Sequence, residues 1–265
     1  MKFSIVTPVH NGEKYIAETI ESVLSQKGDF EIEYIVADGA STDRTVEIIR
    51  SYTDCVNARQ YPICCKKVTL QYFSEKDRGM YDAIEKGFAR TTGDVMAYIN
   101  ADDTYLPGAF AAVAAILIQY PDIEWLKGIN TTSDEKGSVI AQGSCFLYRQ
   151  NWLQGGIYGR YAYFVQQDSV FWKRSLWKKA RPRISLFRLA GDYALWTAFA
   201  AHAPLWSFNK PVSVFRKRAG QLSVTMEQPY RQEQETIAPH NFFLGKKVMA
   251  FFLLTRFFKL NPKYV

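Results

Sequence analysis

From residue 3 to about residue 110 the chain alternates short apolar runs with segments of helical spacing, and no other feature narrows its fold as much. Phe3–Pro8, Tyr34–Ala37, Val68–Phe73 and Val95–Ile99 are apolar runs of strand length. Between them lie a helix with Tyr15, Ile16, Ile20, Val23 and Leu24 on one face, a second carrying Val46, Ile48 and Ile49, and a third over Met80–Arg90. Strand and helix in strict alternation predict a parallel α/β sheet with helices on its faces. Ser41 or Thr42 is placed to cap the second helix. Residues 54–67, with three cysteines and Pro62, read as an irregular excursion.

The second half changes character. Ile123–Ile129 and Val139–Tyr148 predict strands of a mixed sheet edge, Asp168–Lys178 and Gly191–His202 predict helices, and Leu205–Phe215 a closing strand. A composition 48% hydrophobic and 22% charged supports one large domain or a domain with a subdomain. The four cysteines, Cys55, Cys64, Cys65 and Cys145, have no CxxC pattern and no nearby His, which argues against zinc and for free thiols in an intracellular chain. Lys2–Pro8 lacks a leader-like apolar segment, and no apolar stretch approaches the ~20 residues that span a bilayer. The expected place is the cytoplasm, free or peripheral on the inner face of the membrane. A net charge of +7 points to anionic partners without choosing among nucleotide phosphates, nucleic acid and acidic membrane.

The chemistry gathers at strand ends. Asn100-Ala101-Asp102-Asp103 follows the buried-strand pattern Val95–Ile99 and precedes Leu106-Pro107-Gly108, so both carboxylates fall in a loop at the carboxyl end of a strand. That edge of an open α/β sheet is where ligands bind. Two carboxylates without His or Cys suit a hard cation such as Mg²⁺ or Mn²⁺ that also takes phosphate oxygens. Alone, the pair reads equally as a solvated acidic turn. Thr7-Pro8-Val9-His10-Asn11-Gly12 and Asp38-Gly39-Ala40-Ser41 fall at the same edge, and three such loops on successive parallel strands favour a site. His10, His202 and His240 are scattered and read as surface or core residues.

Ile5-Val6-Thr7-Pro8-Val9-His10-Asn11, Ser22–Gln26, Val36–Asp43, Asp77-Arg78-Gly79-Met80-Tyr81-Asp82-Ala83 and Asn100–Asp103 resemble, in order, the motifs of family 2 glycosyltransferases of the GT-A fold, of the bacterial polysaccharide-assembly type. The resemblance covers roughly residues 3–220 and is strongest over the first 110. It implies a Rossmann-like, mostly parallel mixed sheet flanked by helices, with a C-terminal helical extension. It divides the chain into a nucleotide-sugar-binding half (1–110), an acceptor-binding half of the same domain (111–225) and an amphipathic tail (226–265).

The implied donor is a nucleotide-sugar, most often a UDP-sugar. Thr7, Pro8 and Asp38 would hold the nucleoside, Arg78 would reach the nucleotide, Asp102 would contact the ribose or the metal's shell, and Asp103 would ligate Mn²⁺ or Mg²⁺. Departures are His10 for the usual Tyr, Ala40 inserted before Ser41, Asn100 for a common Asp, and Arg218 for a His in Arg216–Ser223. A cation at Arg218 still suits phosphate. Gly191-Asp192-Tyr193-Ala194-Leu195-Trp196 resembles the family stretch whose Asp is the base, so Asp192 is the candidate, against the plainer role of a helix cap. A single base opposite the leaving group implies inversion, as in inverting hydrolases. Gln166–Arg174 resembles the stretch lining the acceptor and donor-sugar pocket, with Gln167 as the contact and Trp172 either stacking on a sugar or packing in the core.

The implied activity is transfer of a sugar to a glycan or lipid-linked acceptor in cell-surface polysaccharide biosynthesis, one unit at a time, since the processive "QxxRW" motif is absent. A nucleotidyltransferase would want a Gly-rich phosphate loop after the first strand, which Val9–Gly12 is not. A non-catalytic nucleotide or nucleic-acid-binding protein is the alternative; no nucleic acid is expected, because Lys and Arg cluster only at 173–183, 216–218 and the tail. Phe242–Phe258 interleave aromatics with Lys246, Lys247 and Arg256, a pattern suited equally to a membrane surface or to packing on the core or a second subunit.

Overall fold

The first four strands, β1 (Lys2–Val9), β2 (Gly28–Asp38), β3 (Cys65–Ser74) and β4 (Val95–Tyr98), lie parallel, with β1 between β2 and β4. The computed structural model describes residues 1–161, 164–221 and 226–238. β1 and β4 are buried along almost their whole length, because helices cover both faces of a parallel sheet. The helix α1 (Ile16–Leu24) buries Ile16, Thr19, Ile20, Val23 and Leu24, the stripe its spacing predicts. Since β1 has β2 on one side and β4 on the other, the chain reverses its strand order there, and it is outside the carboxyl ends at such a point that open α/β sheets bind ligands.

The helix α2 (Thr45–Asn57) begins later than a cap at Ser41 or Thr42 would place it. Asp43 receives the Thr45 backbone N–H (3.0 Å) on Oδ1 and the Glu13 N–H (3.1 Å) on Oδ2, while Ser41 turns back to Asp38. The irregular excursion is shorter than expected, since β3 already pairs at Cys65 with Gly28. Then come α3 (Met80–Ala89), β5 (Thr104–Tyr105), α4 (Ala109–Gln119), β6 (Trp125–Ser133), β7 (Val139–Gln142) and α5 (Gln150–Gln154).

The Asp168–Lys178 region is not one helix. It forms a 3-10 turn (Gln167–Ser169), a strand β8 (Val170–Lys173) and a short helix α6 (Arg174–Ala180). Phe171 and Trp172 are both wholly buried on opposite faces of a strand inserted between β4 and β6. Phe171 meets Phe3, Tyr105 and Phe110, whereas Trp172 meets Phe88, Trp177, Trp196 and Phe199. Neighbouring residues facing two cores require the period of a strand. The helix α7 (Gly191–Ala200) and the strand β9 (Trp206–Arg216) agree with expectation; β7 is only the first part of the predicted Val139–Tyr148 strand.

The described sheet runs β3-β2-β1-β4-β8-β6-β9-β5, with β7 on β6, and is mixed beyond β4. The last helix among the described residues, α8 (Glu227–Ile237), packs on α7. The basic aromatic segment Phe242–Phe258 lies outside the described residues. No helix among the described residues is long and apolar enough to cross a membrane.

Candidate active site

Hydrogen bonds lace the loops after β1 and β2 together. The Gly39 N–H donates to the Val9 carbonyl (2.8 Å), Asn11 N–H to Ser41 Oγ (2.8 Å), Thr42 N–H to Asn11 Oδ1 (2.8 Å) and Gly12 N–H to Thr45 Oγ1 (2.8 Å). His10 Nδ1 lies 3.1 Å from the Gly39 carbonyl oxygen. Asp38, 1% exposed, accepts Ser41 N–H (3.1 Å), Ser41 Oγ–H (2.5 Å) and Ser74 Oγ–H (2.5 Å). Its carboxylate thus ties β2, β3 and the loop into one floor. Gly39 lets the Asp77 carboxylate lie against the loop: a Cβ there would displace Asp77, whose Oδ1 accepts the Gly79 N–H (2.8 Å).

The expected nucleoside contacts take different postures. The Thr7 side chain is buried, its hydroxyl 2.9 Å from the Tyr34 phenol, so within β1 it is a packing residue and not a group open to the crevice. Pro8, one residue on, is buried in the same strand beside Ala37. Arg78 stands at the mouth with its side chain 73% exposed and its guanidinium on Asp82 Oδ1 (Nη2 2.6 Å, Nε 3.2 Å). That contact, against the cost of burial, holds the Asp82 carboxyl below its ordinary range.

The acidic loop divides. Asp103 is wholly buried, with Oδ1 accepting the Arg216 backbone N–H (2.9 Å) and Oδ2 the Asn100 amide (3.3 Å). Burial, with the charges of Asp102 and Asp168 nearby, pushes its carboxyl well up. Asp102 keeps a partly open side chain and accepts Arg218 Nε–H at 2.6 Å. Arg216 braces the loop from within. It donates to the carbonyls of Asp102 (3.1 Å) and Glu135 (3.1 Å), pairs with Glu18 and lies over the Tyr15 ring. The sequence placed the metal on Asp103 first; the structure presents Asp102. The donor set fits a hard cation held through one protein carboxylate and through phosphate oxygens of a bound nucleotide. Among the described residues no cluster of three or more His, Cys, Asp or Glu stands ready to hold an ion unaided.

Asp192 lies one residue inside α7, 7% exposed, in a cage of tyrosines from three elements. Its Oδ1 accepts the Tyr193 N–H (2.7 Å) and the Tyr230 hydroxyl (3.4 Å), and burial, with the Asp192 charge adding to it, pushes the phenols of the neighbouring Tyr81 and Tyr98 up. Gly191 makes this approach possible, because any Cβ would collide with the Tyr81 ring. Burial raises the Asp192 carboxyl to about 6, against the hydrogen bonds from the Tyr193 N–H and the Tyr230 hydroxyl that favour the charged form. Tyr98 closes β4 two residues before Asn100, so the Asp192 cage and the acidic loop border the same strand end.

Gln167 is buried in its turn beside the wholly buried Asp168, which accepts Ser213 Oγ–H at 2.5 Å. Of its two expected roles Trp172 takes the packing one and not the stacking one: it is wholly buried in the aromatic core between β8, α6 and α7. Residue types missed from sequence are Tyr81 and Tyr230 around Asp192, and Arg216 beneath the acidic loop. Tyr81 lay inside a quoted motif, but nothing in the spacing paired Tyr230 with Asp192.

The model of glycosyl transferase family 2 matches residues 4–175, which include every residue of the three donor-side loops. A PGL/p-HBAD biosynthesis glycosyltransferase of Mycobacterium bovis is 24% identical over 197 residues, 72% of this chain and 66% of that protein. The chain therefore spans just under two thirds of such relatives. Staphylococcus aureus TarS 1-349 in complex with UDP-GlcNAc superposes with a TM-score of 0.64 at 16% identity, over 98% of this chain and 74% of that one. A mannosyltransferase from Pyrobaculum calidifontis, in complex with GDP-Man and Mn²⁺, superposes at 0.53 and 17% identity, over 88% and 61%. These likenesses show the GT-A fold.

Proposed function

The chain belongs to glycosyl transferase family 2, and from that premise we propose that it moves a sugar from a nucleotide-diphosphate sugar, of the UDP series, to a hydroxyl of a glycan or lipid-linked acceptor with inversion. The observation that carries the catalytic part is Asp192: a carboxylate caged by tyrosines, with its proton affinity raised to about 6, beside the strand end that bears Asp102. A general base works best when its proton affinity lies near the working pH. Asp192 takes the proton from the acceptor hydroxyl as that oxygen attacks the anomeric carbon and the nucleoside diphosphate departs from the opposite face. The TarS complex with UDP-GlcNAc supports the UDP series, and the archaeal complex supports a divalent cation.

The nucleoside belongs in the crevice floored by Pro8–Gly12, Asp38–Ser41 and Asp77–Gly79, with Arg78 free at the rim to turn from Asp82 to the nucleotide. Asp102 is the protein ligand for Mg²⁺ or Mn²⁺, and Arg218 the cation for the diphosphate. Bound there, the metal would stabilise the charge that develops on the departing diphosphate. Asp103 holds the loop in shape from below. Gln167 lies on the acceptor side, residues 1–110 form the donor half and 111–225 the acceptor half, and residues 226–265 extend them. A role in polysaccharide assembly at the cytoplasmic face of the membrane follows from the same kinship. A thermal-shift series with UDP-GlcNAc, UDP-glucose and GDP-mannose, each with and without Mn²⁺, tests the donor side. Stabilisation by a UDP-sugar that needs the metal is expected; equal stabilisation without Mn²⁺ removes the metal role, and none with any of the three removes the donor assignment.

A further inference from the structure

The helix α7, which carries Asp192 one residue inside its start, has no side-chain cap at Ala190, and the three residues before it, Arg188 to Ala190, present their backbone amides to α8. A carboxylate from another element takes all three. Glu233, in the middle of α8, accepts the Arg188 N–H at 3.0 Å on Oε1, and the Leu189 (2.9 Å) and Ala190 (2.7 Å) N–H groups on Oε2. The same peptide is held from the other side, where the Tyr81 hydroxyl donates to the Leu189 carbonyl at 3.1 Å. One turn before Glu233, Tyr230 places its hydroxyl on Asp192 itself. The far end of α8 is anchored as well: Arg160 Nη1 donates to the Ala238 carbonyl at 2.6 Å, and Ala238 packs on Tyr193.

We propose that α8 is a strap that positions the base, with Glu233 fixing the 188–190 peptide that aims Asp192 and Tyr230 orienting its carboxylate. This rests on the reading of Asp192 as the general base. Both residues, like Asp192 itself, lie beyond the part of the chain that the family model matches. A loop held by three charge-assisted bonds has little freedom to swing, and the carboxylate at its end inherits that rigidity. The ionisable groups that face Asp192 are Tyr81 from α3, Tyr98 from β4 and Tyr230 from α8. The hydroxyl that contacts the carboxylate, that of Tyr230, belongs to the strap.

The test uses the full chain, with Glu233→Gln, Glu233→Asp, Tyr230→Phe and, as reference, Asp192→Asn. UDP affinity is measured by calorimetry, and UDP release is followed from whichever UDP-sugar stabilises the chain most. The Asp192 carboxyl is titrated by ¹³C NMR, which needs no substrate. Glu233→Gln should leave UDP affinity unchanged, lower turnover on the order of a hundredfold, and move the Asp192 titration towards the ordinary carboxyl range as water reaches it. Glu233→Asp should fall between. Tyr230→Phe should move the titration and the acid limb of turnover upward, since its hydroxyl favours the charged form. Unchanged turnover per folded molecule, with an unchanged Asp192 titration in both Glu233→Gln and Tyr230→Phe, overturns the strap. Undiminished UDP release by Asp192→Asn instead overturns the base assignment, and the NMR titration still decides whether Glu233 and Tyr230 set that carboxyl.

Discussion

Arg218 Nε lies 2.6 Å from Asp102 Oδ2, a pair 116 residues apart in sequence that joins the end of β9 to the acidic loop after β4. Arg218 therefore already places a cation against the one partly open carboxylate of that loop. Both side chains keep contact with solvent, so the pair should contribute only about 0–1 kcal/mol to stability. Arg218→Ala is expected to leave the denaturation midpoint nearly unchanged while weakening UDP binding roughly tenfold or more, the scale of a lost hydrogen bond to a charged group. Calorimetry and a urea melt on the same preparation check both halves.

Arg216, two residues earlier, has the opposite balance. It is 5% exposed, and its guanidinium serves two carbonyls and Glu18. Arg216→Ala removes the buried guanidinium that braces the loop, while Glu18, its side chain 57% exposed, turns to solvent, at a cost of about 1–3 kcal/mol. Arg216→Lys should not rescue it, because one ammonium cannot reach three separated acceptors as a planar fork does. Chemical denaturation distinguishes this from the mild Arg218→Ala result.

The Asp192 carboxyl, raised by burial to about 6, sets a pH dependence. As a base it works only when ionised, so turnover should rise as pH climbs through about 6 and level off above. For stability the sign is reversed: between the unfolded value of 3.8 and about 6 the folded chain binds the extra proton, so stability falls as pH rises through that window. Asp192→Asn should abolish the acid limb together with transfer. At pH 8 it should also make the protein more stable, by about 1–3 kcal/mol.

Trp172 supplies a control on the core. Trp172→Ala should cost about 3–5 kcal/mol, read by thermal or chemical unfolding, with UDP affinity of the folded fraction unchanged. A specific loss of UDP binding at full stability would return Trp172 to the pocket.

Gly191→Ala is the smallest change that should disturb the base. The added Cβ collides with the Tyr81 ring, an overpacking worth about 1–3 kcal/mol. Displacement of Asp192 should lower turnover more than it lowers UDP affinity, which steady-state kinetics beside calorimetry would show.

The parallel half was legible because local pattern and tertiary environment agree: a strand buried on both faces, such as β4, reads as an unbroken apolar run, and α1 shows the stripe it buries. Phe171 and Trp172 misled because apolar residues in sequence do not say how many cores they face, and β8 inserts between β4 and β6 through contacts made far along the chain. Asp102 and Asp103 were visible as a pair, but which carboxylate turns outward depends on the Arg216 backbone N–H more than a hundred residues away.

By itself the sequence determined the order of strands and helices in the first half, the loops at their carboxyl ends and the kinship carried by their motifs. Those properties follow from short-range periodicity and from residue types placed at turns. Only the tertiary structure decided that Asp103 is buried and Asp102 presented, that Thr7 and Trp172 belong to the interior, and that Glu233 and Tyr230 close on Asp192. Burial and hydrogen-bond partnership at these positions arise where elements distant in sequence meet, and no local pattern encodes which distant amide or hydroxyl a carboxylate will find.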